Sequence, residues 1–225
     1  MKNRLLALVS AVFSGLFVGL GAFLFSLILC IPYENTFVLK LLASLIFPVG
    51  LFLICNLKTN LYTGKIGFIF QNNKNDNLNL PFIYVGNLIG IIIFGLLSRL
   101  IIDLCNFDLL INTVNNLATS RVVNLSTSSE LLIKTFSNSF FCGIFVFLAV
   151  YCWRQKWNYF IRLFFLILNV ALFVLFGFEH CIANVFYFSF SLSFDVNILT
   201  NVLIATIGNS VGSIFTYFVI KLSKR

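Results

Sequence analysis

Charged residues are scarce in this sequence, and so are the residue types from which metal sites are built. Only 10% of the residues are charged, and there is a single histidine. One histidine cannot form the two-histidine zinc sites of hydrolases, and no His-Glu-x-x-His pattern occurs. The six cysteines show no Cys-x-x-Cys spacing. We therefore expect no metal site, no cofactor and no enzyme activity.

The hydrophobic content points to a membrane protein. Hydrophobic residues make up 60% of the 225 residues, which is more than a soluble domain of this size needs for its core. The net charge of +8 could attract nucleic acid, but the basic residues lie at the ends of hydrophobic runs. That placement is typical of membrane topology. We predict an integral protein of the lipid bilayer with no nucleic-acid partner.

Six hydrophobic segments are long enough to cross a bilayer, which takes about 20 helical residues. They cover approximately 5–31, 37–54, 81–102, 131–153, 159–190 and 198–222. The second and fifth segments run into small and polar residues, over Lys58–Gly64 and Gly177–Asn184. Such interruptions are typical of discontinuous membrane helices. The predicted fold class is an all-α membrane protein with six transmembrane helices, of which the second and fifth are broken.

Two short segments in the third and sixth spans repeat one another. Gly86-Asn87-Leu88-Ile89-Gly90 is echoed by Gly208-Asn209-Ser210-Val211-Gly212. Small residues at this spacing are common in membrane helices, so the echo alone is weak. Each copy, however, follows an interrupted span, and three spans in each half give the halves opposite orientations. We predict a single domain over 1–225 with inverted repeats at about 5–102 and 131–222.

The basic residues indicate how the chain is oriented. With both termini inside, eleven of the fifteen basic residues are cytoplasmic: Lys2, Arg4, Lys58, Lys65, Lys74, Arg154, Lys156, Arg162, Lys221, Lys224 and Arg225. The outer set is Lys40, Arg99, Arg121 and Lys134. Cytoplasmic loops carry the excess of lysine and arginine. We predict a multi-pass protein of the cell membrane with both termini in the cytoplasm.

The most informative segment is Gly177-Phe178-Glu179-His180-Cys181-Ile182-Ala183-Asn184. An ionisable Glu-His pair inside an apolar span is costly, so it usually marks the path of a polar substrate. The small residues around it fit a broken helix whose backbone lines a cavity. These features predict a transport pathway, whereas a purely structural protein needs neither the pair nor the two breaks. A structural role for His180, satisfying the helix break, remains open.

Several of these motifs together resemble the formate/nitrite transporter family over nearly the whole chain. They are Phe47-Pro48-Val49-Gly50, Leu61-Tyr62-Thr63-Gly64, Gly86-Asn87, Gly177-Phe178-Glu179-His180 with Ala183-Asn184, and Gly208-Asn209. The resemblance implies an aquaporin-like protomer that assembles as a homopentamer, with one pore in each protomer. It also implies a channel or transporter for formate, nitrite, hydrosulfide or a related small monovalent ion, with proton-linked permeation.

The resemblance also assigns roles along the pore. His180 corresponds to the family's central histidine and Thr63 to the threonine on the loop that breaks the second helix. Leu61 and Tyr62 fall beside the family's slit, and Phe173 falls at an aromatic constriction. A neutral imidazole can donate a hydrogen bond to a small weak acid or exchange a proton with it near neutral pH. Thr63 could instead simply cap a half-helix.

Several positions depart from the family pattern, and three of them leave the permeant open. Asn60 stands where the family has a carboxylate, and Lys58 is an additional cation two residues earlier. Asn138 stands where the family has a vestibule lysine, and this loss favours ammonium over an anion. Five acidic residues agree with that alternative by making the predicted outer mouth acidic: Glu34, Asp103, Asp108, Glu130 and Asp195. We predict anion transport with ammonium as the alternative, because Lys58 can compensate for Asn138.

Overall fold

A computed structural model describes residues 2–71, 77–122 and 128–224. We number the ten α-helices of these residues in chain order. They are α1 (Lys2–Leu29), α2 (Thr36–Ile46), α3 (Val49–Leu57), α4 (Tyr62–Ile66), α5 (Leu80–Leu104), α6 (Asp108–Val122), α7 (Ser129–Trp153), α8 (Tyr159–Phe176), α9 (Cys181–Phe190) and α10 (Val196–Ser223). The described residues form no strand. The predicted all-α fold class is confirmed.

Six of the helical segments are long and apolar enough to cross a membrane. They cover Arg4–Leu29, Thr36–Leu57, Leu80–Leu104, Ser129–Trp153, Tyr159–Phe176 and Val196–Ser223. The fifth span is shorter than the predicted 159–190, because the chain breaks at 177–180 and resumes as α9. The polar helix α6, in the connection between the third and fourth spans, was not predicted from the sequence. The six spans make this a multi-pass membrane protein.

The helix breaks are shorter than predicted. Each begins with a residue whose backbone is in the left-handed region of φ/ψ space. The first runs over 58–61, where Lys58 ends α3 with φ 55°. The second runs over 177–180, where Gly177 ends α8 with φ 74°. Glycine adopts that conformation without a steric cost, whereas lysine does not. A further interruption at Phe47–Pro48 was not predicted; it separates α2 from α3 within the second span.

The two halves of the chain pack in the same way. Helix α1 packs most extensively on α5, and α7 packs most extensively on α10. The repeated glycines allow this close approach: a Cβ on Gly90 would lie 2.0 Å from the carbonyl oxygen of Val12. The equivalent Cβ on Gly212 would lie 2.0 Å from the carbonyl oxygen of Phe140. The two halves thus repeat the same helix pairing, and the inverted orientation of the repeats stays a prediction.

Replacing Gly212 by alanine should destabilise the protein strongly. A methyl group 2.0 Å from a backbone oxygen forces α10 away from α7. Overpacking of this kind costs about 1–3 kcal/mol. The measurement is thermal unfolding of the purified protein in mild detergent, with Ser223→Ala at the exposed end of α10 as the control. A melting temperature equal to that of the wild type would show that the helices separate at no cost.

Both ends of the described chain lie on one side of the bundle. The Lys224 ammonium donates a hydrogen bond to Tyr151 near the end of α7. Residues that follow Tyr151 line the same cavity as Leu6 and Ala7 near the start of α1. Two of the basic residues used for the orientation, Lys74 and Arg225, lie outside the described residues.

Candidate functional site

The protein contains a wide vestibule at each face. The distal vestibule, away from the chain termini, has a volume of about 380 Å³. Its charged, hydroxyl and amide lining residues are Lys40, Ser120, Arg121, Lys134, Thr135, Asn138, Glu179, Asn184 and Tyr187. The proximal vestibule, on the side of the termini, has a volume of about 790 Å³. Its corresponding lining residues are Lys58, Thr59, Asn60, Lys65, Asn79 and Arg154.

A central cavity of about 20 Å³ lies between the two vestibules and shares lining residues with each. Phe47, Phe173 and His180 line both this cavity and the distal vestibule. Leu51 and Leu61 line both the central cavity and the proximal vestibule. The volume is sufficient for about one water molecule. The three cavities therefore lie in series, and we refer to this series as the path. Two phenylalanine rings form an aromatic constriction on its distal side, and two leucine side chains form an aliphatic constriction on its proximal side.

Two asparagines of the repeated motif hold the helix breaks in place. The side-chain oxygen of Asn87 accepts a hydrogen bond from the Tyr62 amide at 2.8 Å, and its nitrogen donates to the carbonyl oxygens of Ala11 and Asn60 at 2.8 Å. Because the loop carbonyl and amide cannot pair within a helix, this side chain satisfies them. Asn87 is fully buried, so its polar atoms depend on these three partners.

Asn209 repeats this arrangement in the second half. Its side-chain oxygen accepts from the Cys181 amide at 2.9 Å. Its nitrogen donates to the carbonyl oxygens of Ser139 at 2.8 Å and Glu179 at 2.9 Å. Each asparagine thus joins the end of a break and the start of the following helix to the first helix of its own half. The role of the Gly-Asn motif is structural, and the two breaks meet at the centre of the path.

His180 and Thr63 are brought together by the two breaks. Thr63 lies in the first turn of α4, and its hydroxyl oxygen is 3.0 Å from His180 Nε2. Both residues are buried, Thr63 fully and His180 with 5% of its surface exposed. The imidazole ring stacks on Phe173 with ring centroids 6.0 Å apart. The threonine and the histidine, 117 positions apart in the sequence, therefore form one polar pair. His180 lines the central cavity, whereas Thr63 is absent from the described lining of the three cavities.

The hydrogen bonds of His180 define which nitrogen carries the proton. His180 is the N-cap of α9, and its Nδ1 accepts a hydrogen bond from the Ala183 amide at 3.1 Å. An acceptor nitrogen carries no hydrogen, so the proton of the neutral ring is on Nε2 and is donated to Thr63. A second proton on Nδ1 would face the Ala183 N–H and remove the cap. The neutral imidazole therefore stabilises the start of α9 and offers one donor to the path.

The constrictions include two residues that sequence analysis missed. Phe47 packs edge-on against Phe173 with ring centroids 5.8 Å apart, and Leu51 lies beside Leu61 in the cavity lining. Phe47 was part of a recognised motif, but nothing in the sequence showed which way its ring points. Leu61 and Phe173, which the family resemblance assigns to constrictions, both line the central cavity, and their role in permeation stays a prediction.

Tyr62 occupies a different place from the one predicted. It does not belong to the described lining of the three cavities. Its hydroxyl group is 3.0 Å from that of Ser210 on α10, and its ring packs on Tyr84 at 5.0 Å. The backbone amide of Tyr62 is the group that Asn87 holds. Tyr62 therefore joins the first helix break to α5 and α10 rather than narrowing the path.

The distal vestibule is cationic rather than acidic. Lys40, Arg121 and Lys134 line it, and Glu179 is the carboxylate among its described lining residues. None of the five loop acids that predicted an acidic mouth belongs to that lining. Asn138 lies in this vestibule as an uncharged residue. The sequence placed Lys40, Arg121 and Lys134 on the outer side of the membrane but did not show that the fold brings them together.

The proximal vestibule is also cationic. Lys58, Lys65 and Arg154 line it, and no carboxylate occurs among its described lining residues. The Arg154 guanidinium lies 4.1 Å from the centroid of the Phe68 ring. Asn60 donates to the carbonyl oxygen of Ala7 at 3.4 Å, and Gly64 also lines the cavity. Lys58 and Asn138 therefore belong to opposite ends of the path.

The described residues contain no group of three or more histidine, cysteine or acidic residues that could hold a metal ion. The segment Gly208–Gly212 has the letters of a Gly-x-Ser-x-Gly hydrolase motif. That motif works at a strand-to-helix turn, whereas this segment lies in the middle of α10. The Ser210 hydroxyl donates to the carbonyl oxygen of Thr206 at 2.6 Å. The motif is therefore a helix-packing segment here.

Comparisons with known proteins agree with this architecture. The family model described as formate/nitrite transporter matches residues 2–222. The chain is 27% identical over 206 residues to the formate channel FocB of Escherichia coli (strain K12), covering 85% of this chain and 68% of that protein. A solved pentameric formate channel with formate bound has a TM-score of 0.78 at 24% identity and covers 98% of both chains. A solved FNT family ion channel has a TM-score of 0.80 at 21% identity, over 99% of this chain and 91% of that one. The chain belongs to the formate/nitrite transporter family.

Proposed function

We propose that this protein passes small monovalent anions of the formate, nitrite and hydrosulfide type across the cell membrane. The observation that carries the proposal is His180, which lines the central cavity with apolar residues on either side and whose Nε2 is 3.0 Å from the Thr63 hydroxyl oxygen. Each constriction opens to a vestibule lined by three cations. Cations at both mouths lower the free energy of an approaching anion.

The two constrictions determine the form in which the permeant crosses. Moving an ion from water into an apolar passage costs far more than moving a neutral molecule. Phe47 and Phe173 on one side, and Leu51 and Leu61 on the other, offer no compensating hydrogen bond. A weak-acid anion avoids this cost by accepting a proton before it reaches them. Permeation past His180 is therefore linked to a proton.

His180 and Thr63 supply the hydrogen bonds at the centre of the path. The Nε2 proton points into the pair with Thr63, whose hydroxyl group can donate in one direction and accept in another. A permeant that takes the place of either partner regains one of the hydrogen bonds it lost at the constriction. Nδ1 stays engaged with the Ala183 amide, so the ring keeps its orientation while this happens.

Ammonium, the alternative favoured by Asn138, is opposed by the charges around the path. Lys40, Arg121 and Lys134 line the same vestibule as Asn138 and repel an approaching cation. Lys58, Lys65 and Arg154 do so at the opposite mouth. The permeant we propose is therefore an anion.

The proposal extends to assembly and orientation. The solved formate channel with a TM-score of 0.78 is pentameric, and we propose a homopentamer for this chain, with one path in each protomer. Residues 1–225 form a single transport domain without enzyme activity. The vestibule near the termini faces the cytoplasm, since the side of the termini carries most of the basic residues.

Purified protein in liposomes tests this function. We expect uptake of formate, nitrite or hydrosulfide well above that of protein-free liposomes, and no comparable uptake of ammonium. The His180→Phe variant, reconstituted at the same density, is the matched control for leaks caused by inserted protein. Ammonium uptake without uptake of any of the three anions would contradict the proposal. Native mass spectrometry of the same preparation reports the oligomeric state, and a stable monomer would contradict the pentamer.

Restoring a lysine at Asn138 should raise anion uptake. Asn138 lines the distal vestibule, so an added ammonium group lowers the free energy of an entering anion. Solvent in the vestibule screens the charge, and we expect an effect on the order of 1 kcal/mol, seen as several-fold more formate uptake at low concentration. The control is Asn138→Gln, which adds length without charge. Equal uptake by the lysine and glutamine variants would show that charge at this position does not matter.

A further inference from the structure

Arg121 is the most tightly held of the cations in the distal vestibule. Its Nε lies 3.6 Å from Glu179 Oε2 and donates to Asn184 Oδ1 at 3.2 Å. The guanidinium carbon is 4.3 Å from the centroid of the Tyr187 ring. The Arg121 side chain is 14% exposed and that of Glu179 is 12% exposed. An ion pair shielded in this way is screened by solvent far less than a surface pair.

The position of Arg121 is fixed from several elements at once. The Asn201 side chain on α10 donates to the Arg121 carbonyl oxygen at 3.2 Å. The Asn184 side-chain nitrogen on α9 donates to Asn201 Oδ1 at 2.9 Å and to Glu179 Oε2 at 2.5 Å. The network therefore ties the end of α6 to the second helix break and to α9 and α10. Arg121 is placed by the fold rather than by chance contact at a surface.

The charge of Glu179 explains why such a partner is needed. Glu179 is the neighbour of His180 in the chain and lines the distal vestibule. Left unpaired, its carboxylate would repel an anion and attract a cation close to the central pair. Asn138 in the same vestibule carries no charge that could offset it. Lys134 is exposed, so its charge is screened by solvent more than that of the shielded Arg121 and cannot cancel Glu179 in the same way.

We propose that Arg121 sets the sign of the ion that this vestibule admits. By pairing with Glu179 it cancels the carboxylate beside His180, so that the remaining lysines make the vestibule attractive to anions. The cation comes from α6, a polar helix outside the six spans, and reaches the path because α6 packs over α9. This inference deepens the proposed anion transport and rests on it.

The test is uptake of formate and of ammonium by liposomes carrying Arg121→Gln. We expect formate uptake at low concentration to fall about tenfold and ammonium uptake to rise, because the Glu179 carboxylate is left unpaired. Arg121→Lys should retain formate uptake within about threefold, since the charge is kept. The double variant Arg121→Gln/Asn138→Lys should recover much of the formate uptake, because it returns a cation to the same vestibule from α7.

Arg99→Gln is the matched control. Arg99 also pairs with a carboxylate, Asp103 at 2.8 Å, and lies 5.8 Å from the centroid of the Phe190 ring. It is absent from the described lining of the distal vestibule. We expect its removal to leave the uptake of both ions unchanged. A loss of formate uptake in Arg99→Gln equal to that in Arg121→Gln would overturn the proposal. The effect would then not depend on a position inside the distal vestibule.

The remaining outcomes separate selectivity from a structural role. Unchanged formate and ammonium uptake in a folded Arg121→Gln variant would overturn the proposal, as would equal losses in the glutamine, lysine and double variants. If Arg121→Gln does not fold, Arg121→Gln/Glu179→Gln replaces it. We expect this variant to take up formate like the wild type, because the carboxylate and its partner are removed together, and a tenfold loss of formate uptake would overturn the proposal. If wild-type protein takes up no formate, the proposed function fails by itself. Raised ammonium uptake by Arg121→Gln would then still support the role of Arg121, and its absence would overturn it.

Discussion

The variant His180→Phe should lose at least 99% of anion uptake, a barrier increase of about 3 kcal/mol. It removes the donor to Thr63, which lies 3.0 Å away, and the acceptor for the Ala183 amide at 3.1 Å. It also fills the polar centre of the path with an aromatic ring. The measurement is formate uptake into liposomes between pH 5 and pH 8. Unchanged uptake over that range would refute a central role for His180.

A second variant separates the cap from the transport role. His180 is the N-cap of α9, and losing such a cap costs about 1 kcal/mol of stability. Asparagine is an effective N-cap but has no titratable ring. His180→Asn should therefore fold like the wild type and still show a strongly reduced uptake with an altered pH dependence. If His180→Asn retains wild-type uptake with the wild-type pH profile, His180 acts only as a helix cap.

Replacing Phe173 by alanine should abolish the discrimination between weak acids and strong anions. The Phe173 ring contacts Phe47 at 5.8 Å and stacks on His180 at 6.0 Å, and it is 4% exposed. Truncating a buried phenylalanine to alanine opens a cavity that water can enter next to His180. A hydrated anion then no longer needs a proton to pass this point. We expect chloride, which cannot take up a proton near neutral pH, to permeate at least about tenfold faster than in the wild type.

The control for this effect is Phe164→Ala on the same helix. Phe164 is 59% exposed on the surface of α8 and is absent from the described lining of the three cavities. Its truncation should leave chloride uptake at the wild-type level. If Phe173→Ala has normal stability and its chloride uptake stays low, a part of the protein other than Phe173 forms the barrier to chloride.

Much of the fold could be predicted because the bilayer restricts the possible structures. A membrane-spanning helix needs about 20 apolar residues, and such segments are visible without any tertiary information. The breaks were also visible, since small and polar residues in an apolar span fit only a backbone that lines a cavity. The predicted breaks were too long. Only four residues are non-helical in each half, because the next helix begins at the residue whose amide donates to Asn87 or Asn209.

The sequence by itself determined the membrane class, the repeated halves and the His180 segment, because each follows from local composition and spacing. The tertiary structure decided which charges share a vestibule. Asn138 and Lys58 were weighed against each other in the sequence, yet they lie at opposite mouths, and Arg121 reaches Glu179 across 58 positions of chain. It also placed the Phe47 ring in the lining of the central cavity and the Tyr62 ring outside the described lining of the three cavities. The reason is physical: local pattern fixes which segments are helical, whereas the direction of a side chain and the partners of a charge depend on contacts between distant segments.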